Sequence, residues 1–418
     1  MPTADTVVPS PLETRQPDNR PARRLRIAFL SARDPRDRRS WSGTLFSMAQ
    51  ALEKHCGEVF RVGPLQPFSL KVGKAIHKSV RTLTGSVYLY THTTSLSKKI
   101  GRMAGKKLAE IECDIVFAPA GSGVLAYLET EVPIVYLSDA TFRLMVDYYA
   151  DFTRVIPPHL RMAEKLEQLS IRKATQLVYP SVWAAQSAVN DYGADPSTVN
   201  VVPFGANMES PPSREDAVRR SKGDLCRLLF VGVEWGRKGG DIAVETLVEL
   251  ERLGLKAELT VVGCQPEKAL KHPSVKFIPF LSKNDPQDRR RLEGLFKDSD
   301  FFLLPTRAEC FSIALCEANA YGLPVLSTQT GGLSELVRDG VNGFLFPLEA
   351  RGDQYAARIR DVLSNAETYQ KLRVSSRDQF ETRLNWDAWG KRMNTVLWNA
   401  VAPQASQKAS DKEHTIQG

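Results

Sequence analysis

The sequence predicts an α/β protein built of two doubly wound domains that face each other across a cleft. Three observations carry that expectation. The chain has 418 residues, more than one core accommodates, since single cores stop growing at roughly 250–300 residues. Short apolar runs rich in Val, Ile, Leu and Phe alternate with segments of helical period, the pattern of parallel strands joined by crossover helices. That alternation runs twice, interrupted once by the polar, Pro-containing stretch MESPPSREDAVRRSK at 208–222.

Residues 1–24 are polar and Pro-rich with no apolar h-region, and they are expected to form a disordered leader. LRIAFLS (25–31) is the first buried strand; the polar loop ARDPRDRRSWSG and the helix TLFSMAQALEKHC follow it. DIVFAP (114–119), a short helix from Gly121 to Leu128, then strands within PIVYLSDAT and KATQLVYPS continue the alternation, and NVVPFGAN (200–207) closes a first domain at 25–207. After the linker at 208–222 come six further strands, in CRLLFVGV, AELTVVG, VKFIPFL, DFFLLP, PVLST and GFLFP, making a second domain at 223–380. The stretch DAWGKRMNTVLWNAV, within 381–402, is expected to be a helix packing back toward the first domain, and 403–418 a disordered tail. In doubly wound sheets the loops at the carboxyl ends of the strands form the ligand crevice, which puts the chemistry between the lobes.

Composition narrows the function classes. Apolar residues at 42% and charged residues at 25% fit a globular protein. Six scattered cysteines form no C-x-x-C pair, as expected in a reducing cytoplasm. No run of about 18 apolar residues occurs, so a membrane span is not expected. The net charge of +8 is compatible with nucleic acid, anionic lipid or small anions. Neither a helix-turn-helix nor aromatic-interleaved basic repeats are present, which argues against nucleic acid. The charge is most one-sided at 71–109, with nine Lys or Arg and no acid. That segment reads either as helices resting on an anionic membrane surface or as a merely solvated lysine face.

Two stretches carry candidate chemistry. In FVGVEWGRKGGDIAVETL a strand ends near Gly232, and Arg237, Lys238, Gly239 and Gly240 precede a helix starting near Asp241. Cations and free amides at a helix start suit a diphosphate, although a plain basic turn has the same composition. In RAECFSIALCEANAYGLP, Glu309 follows a strand, Ser312 is placed to cap a helix, and Glu317 lies more than a turn inside it. The neighbours Phe311, Ile313, Leu315 and Cys316 are apolar, so Glu317 needs a ligand or a buried partner. A hydrolytic acid and base pair would have to face one bond across roughly 5–9.5 Å, which this spacing does not provide. Asp298-Ser-Asp300 imitates a metal-binding Asp-x-Asp, but it precedes a buried strand, where it ends a helix. No metal site is predicted.

With these residues assembled, the chain resembles the retaining GT-B glycosyltransferases of family 4, the glycosyl transferases group 1, over essentially residues 25–400. The resemblance rests on Glu309, seven residues, Glu317, followed by TGGLSELV and GVNGFLF, and on RKGGD and VYPSVWAAQSAVNDYGADPSTVNVVPFGAN. It implies two Rossmann-like domains, a nucleotide-diphosphate sugar as donor substrate, no further cofactor, and a glycan or lipid-linked acceptor. Glu309 would contact donor-sugar hydroxyls and Glu317 the ribose. The amides of Phe311 and Ser312, beside Ile313, would face sugar and phosphate. Lys238 would meet the diphosphate, with Arg237 as second cation because Val233 stands where relatives carry Arg. Gly43 would approach the phosphates from the other lobe, and the base would lie near Gly263, Phe280 and Leu281. Asp139 and Thr141 of SDATF occupy the loop where many relatives have a histidine. The implied reaction is metal-independent transfer with retention, in bacterial polysaccharide or cell-envelope glycan assembly, from the cytoplasm or the inner face of the plasma membrane. A sugar-nucleotide epimerase or phosphorylase of the same fold, or a non-catalytic basic binding protein, are the competing readings.

Overall fold

The computed structural model describes residues 23–219, 224–268 and 270–402. The leader through residue 22, the end of the linker at 220–223 and the tail at 403–418 lie outside the described residues. Twelve strands of the described chain form two parallel sheets of six, an α/β architecture of the GT-B kind.

The first sheet contains β1 (Leu25–Leu30), β2 (Gly57–Val62), β3 (Ile115–Pro119), β4 (Ile134–Leu137), β5 (Gln176–Tyr179) and β6 (Val199–Val201), in the order β2-β1-β3-β4-β5-β6. The second contains β7 (Cys226–Val231), β8 (Ala257–Val262), β9 (Val275–Ile278), β10 (Phe301–Leu304), β11 (Val325–Thr328) and β12 (Gly343–Phe346), in the order β12-β11-β10-β7-β8-β9. In each sheet the strand order reverses beside the first strand, so β1 adjoins β3 and β7 adjoins β10. A crevice opens where neighbouring connections leave in opposite directions. The loops after β7 and β10 share that position in the second sheet.

β2 is not among the strands expected from the sequence. GEVFRV exposes Glu58 and leaves Arg61 half-buried, and the strand forms the edge of its sheet, where one flank lacks a partner and charge is tolerated. The linker also departs from expectation. Ser213 caps a short helix, Arg214–Val218, whose Ala217 is buried. Arg214 reaches Asp378 at 2.6 Å and Glu381 at 2.5 Å, and Arg373 donates to the Ala217 carbonyl at 2.7 Å. The segment after residue 212 is therefore docked on the helix Ala366–Thr382 and does not hang between lobes.

The last helix, Trp386–Val401, crosses back to the first sheet. Trp389 is fully buried with its ring edge-on to Phe117 at 6.1 Å, Cys56 Sγ donates to the Gly390 carbonyl at 3.4 Å, and Asp387 pairs with Lys54 and His55, each at 2.7 Å. Phe204, at the end of the first domain, packs its ring on Phe311 of the second at 5.0 Å and on Trp386 at 6.2 Å. Apolar packing is thus continuous from one sheet to the other beside the cleft.

Candidate active site

Two loops of the second sheet meet at its switch point. After β7 the chain makes a helical turn, Trp235–Lys238, and a longer helix starts at Gly240. Arg237 and Lys238 therefore lie on a turn of helix, not on an open loop. Lys238 is buried, and its ammonium contacts the carboxylate of Glu309, which follows β10 and is itself buried. Arg237 Nη1 lies 3.6 Å from Glu309 Oε2 and donates to the Ala308 carbonyl at 2.9 Å, while its other nitrogens engage Glu234. One carboxylate thus faces two cations in a nearly dry site, where electrostatic interactions are strong.

Ser312 takes the N-cap position of the helix Ile313–Ala320, but its hydroxyl does not cap it. Among the described residues the amides of Phe311, Ser312 and Ile313 have no protein acceptor, and Phe311 and Ser312 are buried, so N–H groups are left for a ligand at the positive end of the helix. Gly331 closes this wall. It has φ of +53°, and a Cβ there would sit 2.1 Å from the Glu309 carbonyl oxygen.

The first domain completes the pocket from across the cleft. The hydroxyl of Tyr148 accepts from the Glu309 amide at 2.8 Å, and that of Tyr149 accepts from the Cys310 amide at 2.9 Å. The Arg237 guanidinium lies 5.3 Å from the Tyr149 ring centre. Asp139, in the loop after β4, faces the same place. Burial and the Glu309 carboxylate push its carboxyl up to about 6, opposed by the Trp41 indole and backbone amides. Trp41 and Ser42 hold left-handed φ of 50° and 55°, strain that clusters at functional loops. Gly43 follows with φ of 88° and starts the helix Thr44–His55. Asn207 fixes the loop by donating to the Ser42 carbonyl at 2.8 Å and accepting from the Trp386 indole at 3.0 Å.

A cavity of about 240 Å³ lies between the lobes, with Gly43, Phe46 and Asn207 on one side and Lys283, Phe296 and Glu317 on the other. Glu317 is buried and contacts the Lys283 ammonium, which also approaches the Asn207 carbonyl at 3.4 Å. Burial raises the Glu317 carboxyl, and Lys283 opposes the shift. The helix start thus separates the Glu309 cluster, with Lys238 and Arg237, from the cavity that Glu317 lines.

Other expected residues fall differently. Gly263 follows β8 beside the Gly232 carbonyl, at the carboxyl edge of the sheet. Phe280 is exposed, but Leu281 turns into the core, so only its main chain is free to meet a base. Ile313 and Phe311 likewise pack their side chains on the core, leaving their amides as the polar groups on offer. Asp298 ends the helix Pro286–Asp298, and buried Asp300 accepts from the Arg227 amide at 2.8 Å and from the Tyr369 hydroxyl, which is structural work. No cluster of three His, Cys, Asp or Glu suited to a metal occurs among the described residues. Sequence reasoning missed Trp41, Tyr148, Tyr149 and Lys283. For the tyrosines the only signal was an aromatic pair inside the polar stretch DYYADF.

The family model of the glycosyl transferases group 1 matches residues 226–365, a span that contains Lys238, Glu309 and Glu317. Its second domain is therefore similar to the glycosyl transferases group 1. Among curated proteins it is 28% identical over 304 residues to the D-inositol 3-phosphate glycosyltransferase of Nocardiopsis dassonvillei, covering 68% of this chain and 69% of that one. It is 31% identical over 217 residues to the same-named protein of Geodermatophilus obscurus, covering 48% of each, so it spans only about half of that relative. Among solved structures, Anabaena HepE in complex with UDP and glucose superposes with a TM-score of 0.58 at 18% identity, covering 90% of this chain and 99% of that one. The likeness establishes the GT-B fold.

Proposed function

We propose that this protein is a glycosyltransferase of the group 1 type that moves a sugar from a nucleoside-diphosphate donor, a UDP- or GDP-sugar, to a glycan or lipid-linked acceptor with retention of configuration. The observation that carries the reading is the convergence of Arg237, Lys238 and Glu309, from the two loops of one switch point, on the unpaired amides of Phe311 to Ile313. Cations and amides at one place suit a diphosphate leaving group, and a carboxylate beside them suits sugar hydroxyls. Glu317, in the interlobe cavity, would take the ribose, and Gly43 would approach the phosphates from the first domain. The UDP named in the Anabaena complex favours the donor class, while the name of the curated relatives gives D-inositol 3-phosphate as their acceptor.

In the proposed reaction the bond between the anomeric carbon and the phosphate oxygen breaks, and a bond to the acceptor oxygen forms on the same face. The acceptor proton passes to the departing phosphate. Lys238, Arg237 and the helix amides stabilise the charge that develops on that phosphate, so neither a protein nucleophile nor a metal is called on. A role in cell-envelope or polysaccharide assembly, in the cytoplasm where nucleotide sugars are found, follows from this reading.

The test is thermal stabilisation by UDP-, GDP- and ADP-sugars, since a ligand that binds only the folded state adds about 2.7 kcal/mol at a hundredfold excess over Kd. A shifted midpoint with one nucleotide class, unaffected by EDTA, together with an anomer-retaining product by NMR, is the expected result. No shift with any of the three would overturn the proposal.

A further inference from the structure

We infer that Lys283 is a positioning residue for the donor nucleotide: it holds Glu317 as a carboxylate facing the interlobe cavity, so that Glu317 can accept from both hydroxyls of a ribose. The inference rests on the proposed donor reading and names the group that makes the Glu317 subsite selective. The ion pair is lopsided. The Glu317 side chain is 5% exposed and belongs to the helix Ile313–Ala320, whereas Lys283 is 38% exposed and comes from the loop between β9 and the helix Pro286–Asp298. Around Glu317, Leu315, Cys316 and Ala318 are fully buried. A carboxyl in such surroundings favours its neutral form unless a cation is near. The difference matters for a diol. An ionised carboxylate is an acceptor only and takes both hydroxyls in charge-assisted bonds, about twice as strong as neutral ones; a protonated acid spends one oxygen on its own proton.

The other charged groups around Glu317 are engaged elsewhere. On the cavity walls, Arg38 of the first domain and Arg289 of the helix Pro286–Asp298 both pair with Glu209, the latter at 2.8 Å. Glu293 of the same helix is a further acid and adds no positive charge. Behind the glutamate's helix, Arg373 donates to the Tyr321 carbonyl, Arg377 to the Ala320 carbonyl and to Glu381, and Arg383 to Glu335. Beside Glu317 in sequence, the Cys316 thiol and the Tyr321 hydroxyl are kept neutral by burial. Among the described residues Lys283 is therefore the cation paired with Glu317. Its ammonium is held in place by the Asn207 carbonyl at 3.4 Å, and the Asn207 side chain in turn donates to the Ser42 carbonyl at 2.8 Å, one residue before Gly43. A flexible lysine stem at a cavity mouth would otherwise turn to solvent. The same contacts thus set the charge of Glu317 and tie its partner to the first-domain loop.

Affinities of the full-length chain for UDP and GDP, and for their 2′-deoxy forms, are measured by isothermal titration from about pH 6 to about pH 8, with the melting midpoint of each variant checking its fold. The nucleotide that binds the unsubstituted protein should bind at least about tenfold more tightly than its 2′-deoxy form. Lys283→Met keeps the stem and removes the charge. It should weaken the ribonucleotide about tenfold or more at the acidic end, cut the preference over the deoxy form to about twofold or less, and recover both as pH rises and Glu317 ionises. Lys283→Arg should keep affinity and preference within about threefold throughout. Full affinity and preference in Lys283→Met would overturn the inference. So would a loss that Lys283→Arg shares, or one that is the same at every pH, since either marks a contact that does not work through the charge of Glu317. Failure of the unsubstituted protein to bind either nucleotide is a separate outcome, which overturns the donor reading and this inference with it.

Discussion

Tyr149 and Cys310 join the two lobes through a hydrogen bond 2.9 Å long, the tyrosine hydroxyl accepting the amide of the residue after Glu309. Beside it, Tyr148 accepts the Glu309 amide itself at 2.8 Å and shares a bond with the Thr330 hydroxyl at 2.9 Å. The carboxylate loop of one sheet is thereby positioned by side chains of the other.

Replacing Tyr149 with Phe leaves the buried Cys310 amide without an acceptor, a cost of about 1–3 kcal/mol. Because that bond forms between lobes, the cost falls on their mutual placement and not on either core. We expect kcat/KM for sugar transfer to drop about tenfold or more, which corresponds to about 1.4 kcal/mol. The melting midpoint should barely move. Steady-state kinetics alongside calorimetry checks this, and a large loss of stability with unchanged kinetics would refute the positioning role.

The two glutamates should separate by phenotype. Glu317→Ala removes the group in the interlobe cavity and leaves Lys283, whose side chain is 38% exposed, free to turn to solvent. Nucleotide affinity should fall with little loss of fold. Glu309→Ala frees Lys238 and Arg237 from their carboxylate. Nucleotide affinity should be kept or improved, whereas kcat should fall about a hundredfold if the carboxylate contacts the sugar only as charge develops. Isothermal titration with UDP and GDP separates the two outcomes, and equal, small effects from both variants would argue against this division of labour.

The architecture was legible because buried parallel strands are largely apolar runs: LRIAFL, CRLLFV and FFLL fit strands alternating with helices. GEVFRV was missed because an edge strand keeps its charges. The glutamate pair was legible because two acids flanking an apolar helix start demand an explanation. Lys283 was hidden, since its pairing with Glu317 spans 34 residues of chain and no local pattern announces it. Trp41 was hidden for a different reason, its role following from a left-handed backbone that the sequence SWSG reveals only at Gly43.

Away from the cleft, Glu167 is buried and accepts from the Tyr136 hydroxyl at 3.0 Å. Burial pushes its carboxyl up from 4.5 to about 7, against the pull of that hydrogen bond. The folded chain thus holds this proton more tightly than the unfolded one. Stability from this group is fully present below pH 4.5 and is lost as pH rises to about 7. Glu167→Gln should cancel that loss. Relative to the unsubstituted protein, the variant should gain on the order of 3 kcal/mol between acidic pH and pH 8. Denaturant unfolding at both pH values measures it, and a gain independent of pH would show that Glu167 does not titrate in this way.

Asp139 makes the corresponding prediction for the reaction. Its carboxyl, raised from 3.8 to about 6 by burial and by Glu309, lies at a point where the cleft already holds one carboxylate and, on the proposed reading, receives a diphosphate. Added negative charge disfavours ionisation further. The sign is again that of a raised acid: its contribution to stability is complete below pH 3.8 and falls as pH rises to about 6. Asp139→Asn should flatten the stability profile across that window. If the ionised carboxylate serves the acceptor, kcat should rise with pH through an apparent pKa near or above 6 in the unsubstituted protein, and the Asn variant should lose that limb together with most of its turnover. Profiles of kcat and of nucleotide affinity, taken in parallel, separate the roles: a limb that survives Asp139→Asn belongs to another group.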